Sequence, residues 1–217
     1  MFIGHFGVGL AAKKADTRVS MGTYFIAAQF IDLLWPILLM LGIEKVEIAE
    51  GISKAVPLNF VSYPVSHSLI MVLLWGVLFG LVYKFIKKDT KGAIILALCV
   101  VSHWVLDLIV HIPDLPLYPG NSPKIGFGLW NSLAVSITLE MLIFFTGVFT
   151  YNSVTKAKNR KGSVGFWLLI VFFLIIHFAN IFGPPPPSVT AIAWSGQLQW
   201  IFVIWAYWTD KNRTSRK

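Results

Sequence analysis

Residues 92–112 read GAIILALCVVSHWVLDLIVHI, an apolar run that contains three ionisable side chains. About 20 such residues are enough for a helix to cross the hydrocarbon of a bilayer. In a helix, His103, Asp107 and His111 follow one another at intervals of four residues, so they lie on one stripe about 12 Å long. Each such group costs several kcal/mol in hydrocarbon unless it meets a partner or a polar cavity. This segment therefore predicts both a membrane span and a functional site.

The composition of the whole chain is that of an integral membrane protein. Of its 217 residues, 56% are hydrophobic and 13% are charged, and the mean hydropathy is +0.72. A soluble domain would carry about 25% charged residues. The predicted spans are 21–43, 65–86, 92–112, 129–150, 164–183 and 188–208. We therefore predict one all-α integral membrane domain over residues 1–217, a polytopic helix bundle of about six transmembrane helices. Residues 1–150 carry the polar motifs, residues 151–217 add two further spans, and residues 1–12 form a short re-entrant or interfacial helix.

The basic residues lie almost entirely on one side of the predicted bundle. Of the 18 Lys and Arg residues, all but Lys45, Lys54 and Lys124 fall in the termini and in the loops of that side. The positive-inside rule then predicts a cytoplasmic (inner) membrane protein with both termini in the cytoplasm. The net charge of +8 comes from these short loops, so we expect the lipid bilayer as a partner and no nucleic acid. The single Cys99 excludes an intrachain disulfide, and the oligomeric state is left open.

Other predicted spans carry ionisable residues at a similar depth. Asp32 lies near the middle of the first span, His67 at the start of the second, and Glu140 near the centre of the fourth. On this topology all three lie between the midplane and the external side, so we expect them to share a polar cavity with the stripe. For His177 helix packing is the favoured interpretation, because no carboxylate lies four residues away. Asp114, between two prolines, is interpreted as a turn residue.

Imidazole and carboxylate groups in this arrangement are typical ligands of zinc-like metals. A bound metal would neutralise the buried carboxylates and would lower the pKa of a water molecule toward neutrality, which makes that water a nucleophile. The chain contains no Gly-x-Ser-x-Gly elbow, no His-Glu-x-x-His motif and no Gly-rich phosphate loop. Serine hydrolase, zincin and nucleotide-binding functions therefore receive no support.

Several motifs resemble those of the bacterial and archaeal family of membrane-bound metal-dependent hydrolases. They cover residues 1 to about 140 and are MFIGHF (1–6), AAQFIDLLWP (27–36), YPVSHSL (63–69), SHWVLD (102–107), HIPDLPL (111–117) and GLWNS (128–132). That family is distantly similar to zinc-dependent phospholipase C and P1 nuclease, which are helical enzymes that hydrolyse phosphoesters with three zinc ions. The resemblance implies a helical membrane enzyme with a metal centre.

The resemblance also implies a ligand order. In the phospholipase C and P1 nuclease group it is His, Asp, His, His-x-x-x-Asp, His and His-x-x-x-Glu. The corresponding positions here are His5, Asp32, His67, His103-x-x-x-Asp107, His111 and Ser136-x-x-x-Glu140. Ser136 stands where that group has a His, and Met1-Phe2 stands where it has an N-terminal Trp. One or two ions are therefore expected rather than three, and His5 takes part only if residues 1–12 dip toward the midplane.

Together these observations predict a membrane-embedded metal-dependent hydrolase that acts on a phosphoester, either a small one or a lipid-linked one. The cofactor is a divalent metal, with zinc favoured over manganese or iron. The predicted metal ligands are His5, Asp32, His67, His103, Asp107, His111 and Glu140, and the candidates for acid–base catalysis are His111 and Glu140. Two alternatives remain: a transporter of metal ions or protons that uses the same groups, and a non-catalytic membrane scaffold in which they serve helix packing.

Overall fold

A computed structural model describes residues 1–216. Its helices are α1 (Ile3–Ala12), α2 (Met21–Ala28), α3 (Phe30–Met40), α4 (Leu69–Lys87), α5 (Thr90–Val110), α6 (Leu133–Val154), α7 (Arg160–Phe182), α8 (Val189–Gln197) and α9 (Gln199–Lys211). A short 3-10 helix, Leu129–Asn131, precedes α6. Helices α4 to α7, and α8 together with α9, are long and apolar enough to cross a membrane, and the bent pair α2–α3 adds a sixth candidate span. This confirms the predicted all-α membrane bundle with a short N-terminal helix.

Three small antiparallel sheets lie at the two ends of the bundle. Their strands are β1 (Lys45–Ile48), β2 (Leu58–Ser62), β3 (Leu115–Pro116), β4 (Lys124–Ile125), β5 (Thr155–Ala157) and β6 (Arg213–Ser215). Strands β1 and β2 pair with each other, β3 pairs with β4, and β5 pairs with β6, so that Lys45 lies opposite Ser62 and Thr155 opposite Ser215. The last pair fastens the C-terminal segment to the end of α6.

The first predicted span, 21–43, is not one straight helix. It bends by 55° between α2 and α3, at Gln29, whose φ of −104° and ψ of 8° depart from helical geometry. The backbone carbonyl of Ala28 at this break lies 2.8 Å from Nδ1 of His103. The interruption therefore supplies a backbone acceptor to the polar cluster, which a continuous hydropathy profile does not reveal.

Helix α1 is buried inside the bundle rather than laid on its surface. Seven of its residues are buried, among them His5 and Phe6. It packs on α6 through glycines: a Cβ on Gly7 would lie 2.7 Å from the carbonyl oxygen of Ile143, and one on Gly147 would strike the Gly7 carbonyl. Small residues of this kind let two helix backbones approach closely. Of the two alternatives for residues 1–12, this burial favours the re-entrant one.

A buried polar network fastens the end of the bundle opposite the cluster. Lys13, at the end of α1, donates from Nζ to a carboxylate oxygen of Asp210 at 2.9 Å and to the carbonyl of Val19 at 2.8 Å. The hydroxyl of Tyr151 donates to the other oxygen of Asp210 at 2.6 Å. These bonds join α1, α6 and α9, and they fix the C-terminal end of the helix that carries His5.

Candidate metal centre

Five of the predicted ligands meet at one point of the bundle. His5 comes from α1, Asp32 from the first turn of α3, His67 from the turn before α4, and His103 and Asp107 from α5. The Nε2 atom of His103 lies 3.2 Å from Oδ2 of Asp107 and 3.5 Å from Oδ1 of Asp32. The Nε2 atom of His67 lies 3.5 Å from the same Asp32 oxygen. Four of the five side chains are fully buried, while the Asp32 side chain is 24% exposed.

The donor atoms form two overlapping groups. One comprises His5, His103 and Asp107, the other Asp32, His67 and His103, and the ligand atoms within each group lie within 4.8 Å of one another. The rings of His5 and His103 stack with centroids 3.7 Å apart, and Nε2 of His5 lies 3.1 Å from Oδ1 of Asp107. Asp107 thus presents one oxygen to His103 and the other to His5.

We call the two resulting locations position A and position B. Position A is bounded by Nε2 of His67, Nε2 of His103, Oδ1 of Asp32 and Oδ2 of Asp107, and position B by Nε2 of His5 and Oδ1 of Asp107. Since Nδ1 of His103 already bonds to Ala28, its only remaining nitrogen is Nε2. A cation bound by His103 therefore belongs to one position, and a second cation would rely on Asp107 as the shared ligand.

Hydrogen bonds outside the cluster place a proton on Nδ1 of His103 and of His111. The Nδ1 atom of His103 faces a backbone carbonyl, which only accepts, so Nδ1 is the protonated nitrogen. The Nδ1 atom of His111 faces a carboxylate oxygen of Asp114 at 2.8 Å, with the same consequence. Outer partners of this type orient metal-binding histidines in known sites. In each of these two rings Nε2 is therefore the nitrogen that is left to bind a cation.

On the side of position A, the cluster brings Nε2 of His103 and two carboxylates together. Buried Nε2 of His103 has no hydrogen-bond partner among residues 1–216, and it faces carboxylate oxygens of Asp32 and Asp107. A lone pair aimed at two carboxylates is unfavourable in a medium of low dielectric unless a cation lies between them. The donor set of imidazoles and carboxylates fits a zinc-like divalent metal.

His111 lies at the edge of the cluster, where Asp114 and Trp130 hold its ring in place. Its Nε2 atom is 4.0 Å from Oδ1 of Asp107, and its ring packs on Trp130 with centroids 4.0 Å apart. Asp114 also accepts a hydrogen bond from the hydroxyl of Tyr63 at 2.8 Å. Burial, together with the Asp114 carboxylate, raises the pKa of the Tyr63 phenol, so this hydroxyl stays protonated and acts as the donor.

Glu140 lies outside both positions and caps the start of α1. One of its carboxylate oxygens accepts from the backbone N–H of Phe2 at 2.8 Å and from that of Gly4 at 3.3 Å. A carboxylate at a helix N-terminus is favourably placed. The Met1 amino group, on the same segment, lies 2.7 Å from Oδ1 of Asp107. Glu140 therefore holds the segment that carries His5 against the cluster.

A cavity of about 660 Å³ opens onto these groups. Its polar wall includes Asp32, His67, Asp107, His111, Glu140 and His177. Its other walls come from α3, the β1–β2 loop, the proline-rich turn after α7 and α8, and they are apolar apart from a few side chains such as Glu50 and Lys54 of the loop. The segment between β1 and β2 is tied down where the backbone N–H of Lys54 donates to the carbonyl of Trp130 at 3.0 Å. The cavity thus joins a polar floor to apolar sides.

Three contributors were missed or discounted in the sequence. Asp114 was interpreted as a turn residue, yet it orients His111. His177 was assigned to packing, yet it lines the cavity with Nδ1 4.0 Å from Glu140. Glu44 received no role, although it is buried and contacts the residue before His67. A signal existed for Asp114, three residues after a histidine of the stripe, but none for Glu44, which is distant in sequence.

The chain belongs to the YdjM inner membrane protein family, whose family model matches residues 3–183. The matched segment runs from α1 to just beyond α7 and contains every residue of positions A and B. The family description agrees with the predicted inner-membrane location and with the apolar helices. It names no reaction, so the resemblance to metal-dependent hydrolases stays a prediction. Searches of curated proteins and of solved structures found no match.

Proposed function

We propose that this member of the YdjM inner membrane protein family is a membrane-embedded hydrolase that depends on a divalent metal and acts on a phosphoester. The observation that carries the proposal is the convergence of three imidazole Nε2 atoms and two carboxylates on positions A and B. The atoms lie close enough to share cations, and the outer hydrogen bonds occupy Nδ1 of His103 and of His67, so that Nε2 is the nitrogen of each ring left to bind a cation. When bound, a divalent cation at such a site acidifies a water molecule and stabilises charge on a phosphoryl oxygen.

The four side chains of position A would hold the first ion, with zinc favoured by their chemistry. Asp107 and His5 would hold a second ion at position B, in place of the Met1 ammonium that bonds to Oδ1 of Asp107. Two adjacent ions that share a carboxylate are a recurrent arrangement in phosphoesterases. Both termini would lie on the cytoplasmic side and the cavity on the external side, as the distribution of basic residues favours.

The residues around the positions supply further chemistry. His111, held by Asp114 through Nδ1, offers Nε2 toward the cavity and would transfer a proton to the leaving group or from the water. Glu140 is the second candidate for proton transfer, and its present contacts make it the anchor of the segment that carries His5. The apolar cavity walls favour a substrate with a hydrocarbon part, such as a lipid phosphate or a lipid-linked phosphate.

The packing below the cluster favours a hydrolase over a transporter. Immediately after His5, the ring of Phe6 packs against Phe25, Phe173 and Phe202, with centroids 4.4 to 5.5 Å apart. A transit pathway for ions needs polar groups or water that continue to the opposite face. Aromatic packing at this depth supports a closed pocket instead.

The test is the metal content of detergent-purified protein, measured by mass spectrometry for the wild type, His103→Ala and Asp107→Ala. His177→Ala is the matched control, because His177 is a buried histidine on the same cavity that belongs to neither position. We expect near-stoichiometric metal in the wild type and the control, and its loss in the other two variants. Hydrolysis of bis(p-nitrophenyl) phosphate and of phosphatidic acid in micelles should disappear in parallel. A wild type that retains no metal after reconstitution with zinc, manganese or iron would overturn the proposal.

A further inference from the structure

A buried carboxylate lies behind His67, on the side away from the cluster. Glu44, just before β1, is only 2% exposed. One of its oxygens, Oε1, accepts from the backbone N–H groups of Val65 and Ser66, each at 2.8 Å. The other, Oε2, accepts from the hydroxyl of Ser66 at 2.6 Å. Three donors around one carboxylate fix its orientation as a hydrogen-bond acceptor.

The hydroxyl of Ser66 connects the carboxylate of Glu44 to the ring of His67. Its Oγ atom lies 2.6 Å from Nδ1 of His67. A serine hydroxyl has one proton to donate, and here it donates that proton in a hydrogen bond to the carboxylate of Glu44. Oγ must then act as the acceptor toward His67, so Nδ1 carries the proton in the neutral form of the ring and the lone pair is on Nε2. The lone pair of Nε2 points into position A.

We propose that Glu44 and Ser66 are positioning residues that keep His67 in the tautomer able to bind a cation through Nε2. The inference rests on the proposed function in one respect, namely that position A holds a metal. The direction of the hydrogen bonds stands without it. The arrangement parallels the carboxylate–histidine pairs behind metal sites, with a serine hydroxyl inserted between the two groups.

The geometry of Glu44 makes one substitution especially informative. In Glu44→Gln the side-chain oxygen must face the two backbone N–H groups, because an amide nitrogen cannot accept from them. The amide nitrogen then faces Oγ of Ser66 and donates to it. The hydroxyl proton of Ser66 would turn toward Nδ1 of His67, which would move the ring proton to Nε2. An isosteric change at Glu44, two hydrogen bonds away from the His67 ring, would thus place a proton on the nitrogen that faces position A.

The first experiment measures the tautomer directly in metal-free protein. Histidine labelled with ¹⁵N gives separate signals for protonated and bare ring nitrogens, and the chain has only five histidines. His67→Gln identifies the signals of His67. We expect a bare Nε2 in the wild type and a protonated Nε2 in Glu44→Gln. The same tautomer in both proteins would overturn the proposal.

The second experiment measures zinc affinity by competition with a chelator. Ser68→Ala is the matched control: Ser68 is as buried as Ser66 and lies in the same turn, but its hydroxyl donates to the carbonyl of Pro64. Loss of an outer partner weakens metal binding roughly 10- to 100-fold. We expect that loss in Glu44→Gln and Ser66→Ala, recovery in Ser66→Thr, and wild-type affinity in Ser68→Ala.

The two experiments separate the two proposals. Equal losses in Ser66→Ala and Ser68→Ala would mean that only the fold of the turn matters, which would overturn the positioning role. A tautomer that switches in Glu44→Gln, in a protein whose wild type binds no zinc, would uphold the positioning role and refute the metal-dependent function.

Discussion

Asp210→Ala tests how the helix that carries His5 is held in the bundle. The substitution removes the partner of Lys13, whose side chain is only 6% exposed, and the acceptor of the Tyr151 hydroxyl. Removing one member of a buried ion pair costs roughly 3–5 kcal/mol, because the remaining charge is left without compensation. In a chain of this length each kcal/mol lowers Tm by roughly 2–4 °C. We therefore expect Tm to fall by roughly 6–20 °C.

The assay is thermal unfolding in detergent, followed by intrinsic fluorescence. A double variant, Lys13→Met with Asp210→Leu, removes both charges together, and we expect it to recover much of the loss because no unpaired charge remains. Lys158→Ala is the control, since Lys158 is exposed and its Nζ donates to the backbone carbonyl of Lys211 at the surface, and surface substitutions of this kind change stability little. A Tm for Asp210→Ala within about 2 °C of the wild type would refute the reasoning, as would a double variant no more stable than the single one. The measured cost is to be compared with the roughly 2–4 °C expected for 1 kcal/mol.

Two further predictions concern the contacts of α1 and of His111. In Gly7→Ala the new methyl would start 2.7 Å from Cα of Phe144, so α1 and α6 must separate by about 0.7 Å to reach ordinary contact at 3.4 Å. Overpacking of this kind costs roughly 1–3 kcal/mol. We therefore expect a lower Tm and a weaker hydrogen bond between Glu140 and the start of α1. Asp114→Ala removes the acceptor of the His111 ring, and we expect hydrolysis to fall roughly 100-fold while the metal content stays that of the wild type. Unchanged turnover in Asp114→Ala would show that His111 needs no such support.

Several features of the fold could be predicted from local patterns. Apolar segments of about 20 residues give the spans directly, because a helix must satisfy its own backbone within lipid. The break at Gln29 could not be predicted in this way, because the residues on both sides are equally apolar. Its reason is tertiary: the carbonyl of Ala28 bonds to His103, which lies far along the chain.

Some features of the candidate site could likewise be predicted from the sequence, and others depend on the tertiary structure. The stripe of His103, Asp107 and His111 follows from helix periodicity alone, and the depth of Asp32 and His67 follows from the topology. Whether these groups meet depends on distances between helices, which are set by packing such as the glycine contacts of α1 with α6. Sequence periodicity contains no information about those distances.

The sequence by itself determined that this chain is a helical membrane protein with ionisable groups concentrated at one depth, because hydropathy and the helical repeat are local properties. The tertiary structure decided which of those groups face one another and which nitrogen of His67, His103 and His111 bonds to an outer partner. Glu44 and Asp114 shape the site through hydrogen bonds that join a loop and a turn to the helices. Such bonds form only when the folded chain brings their partners within about 3 Å, so they belong to the packed molecule and to no single segment of it.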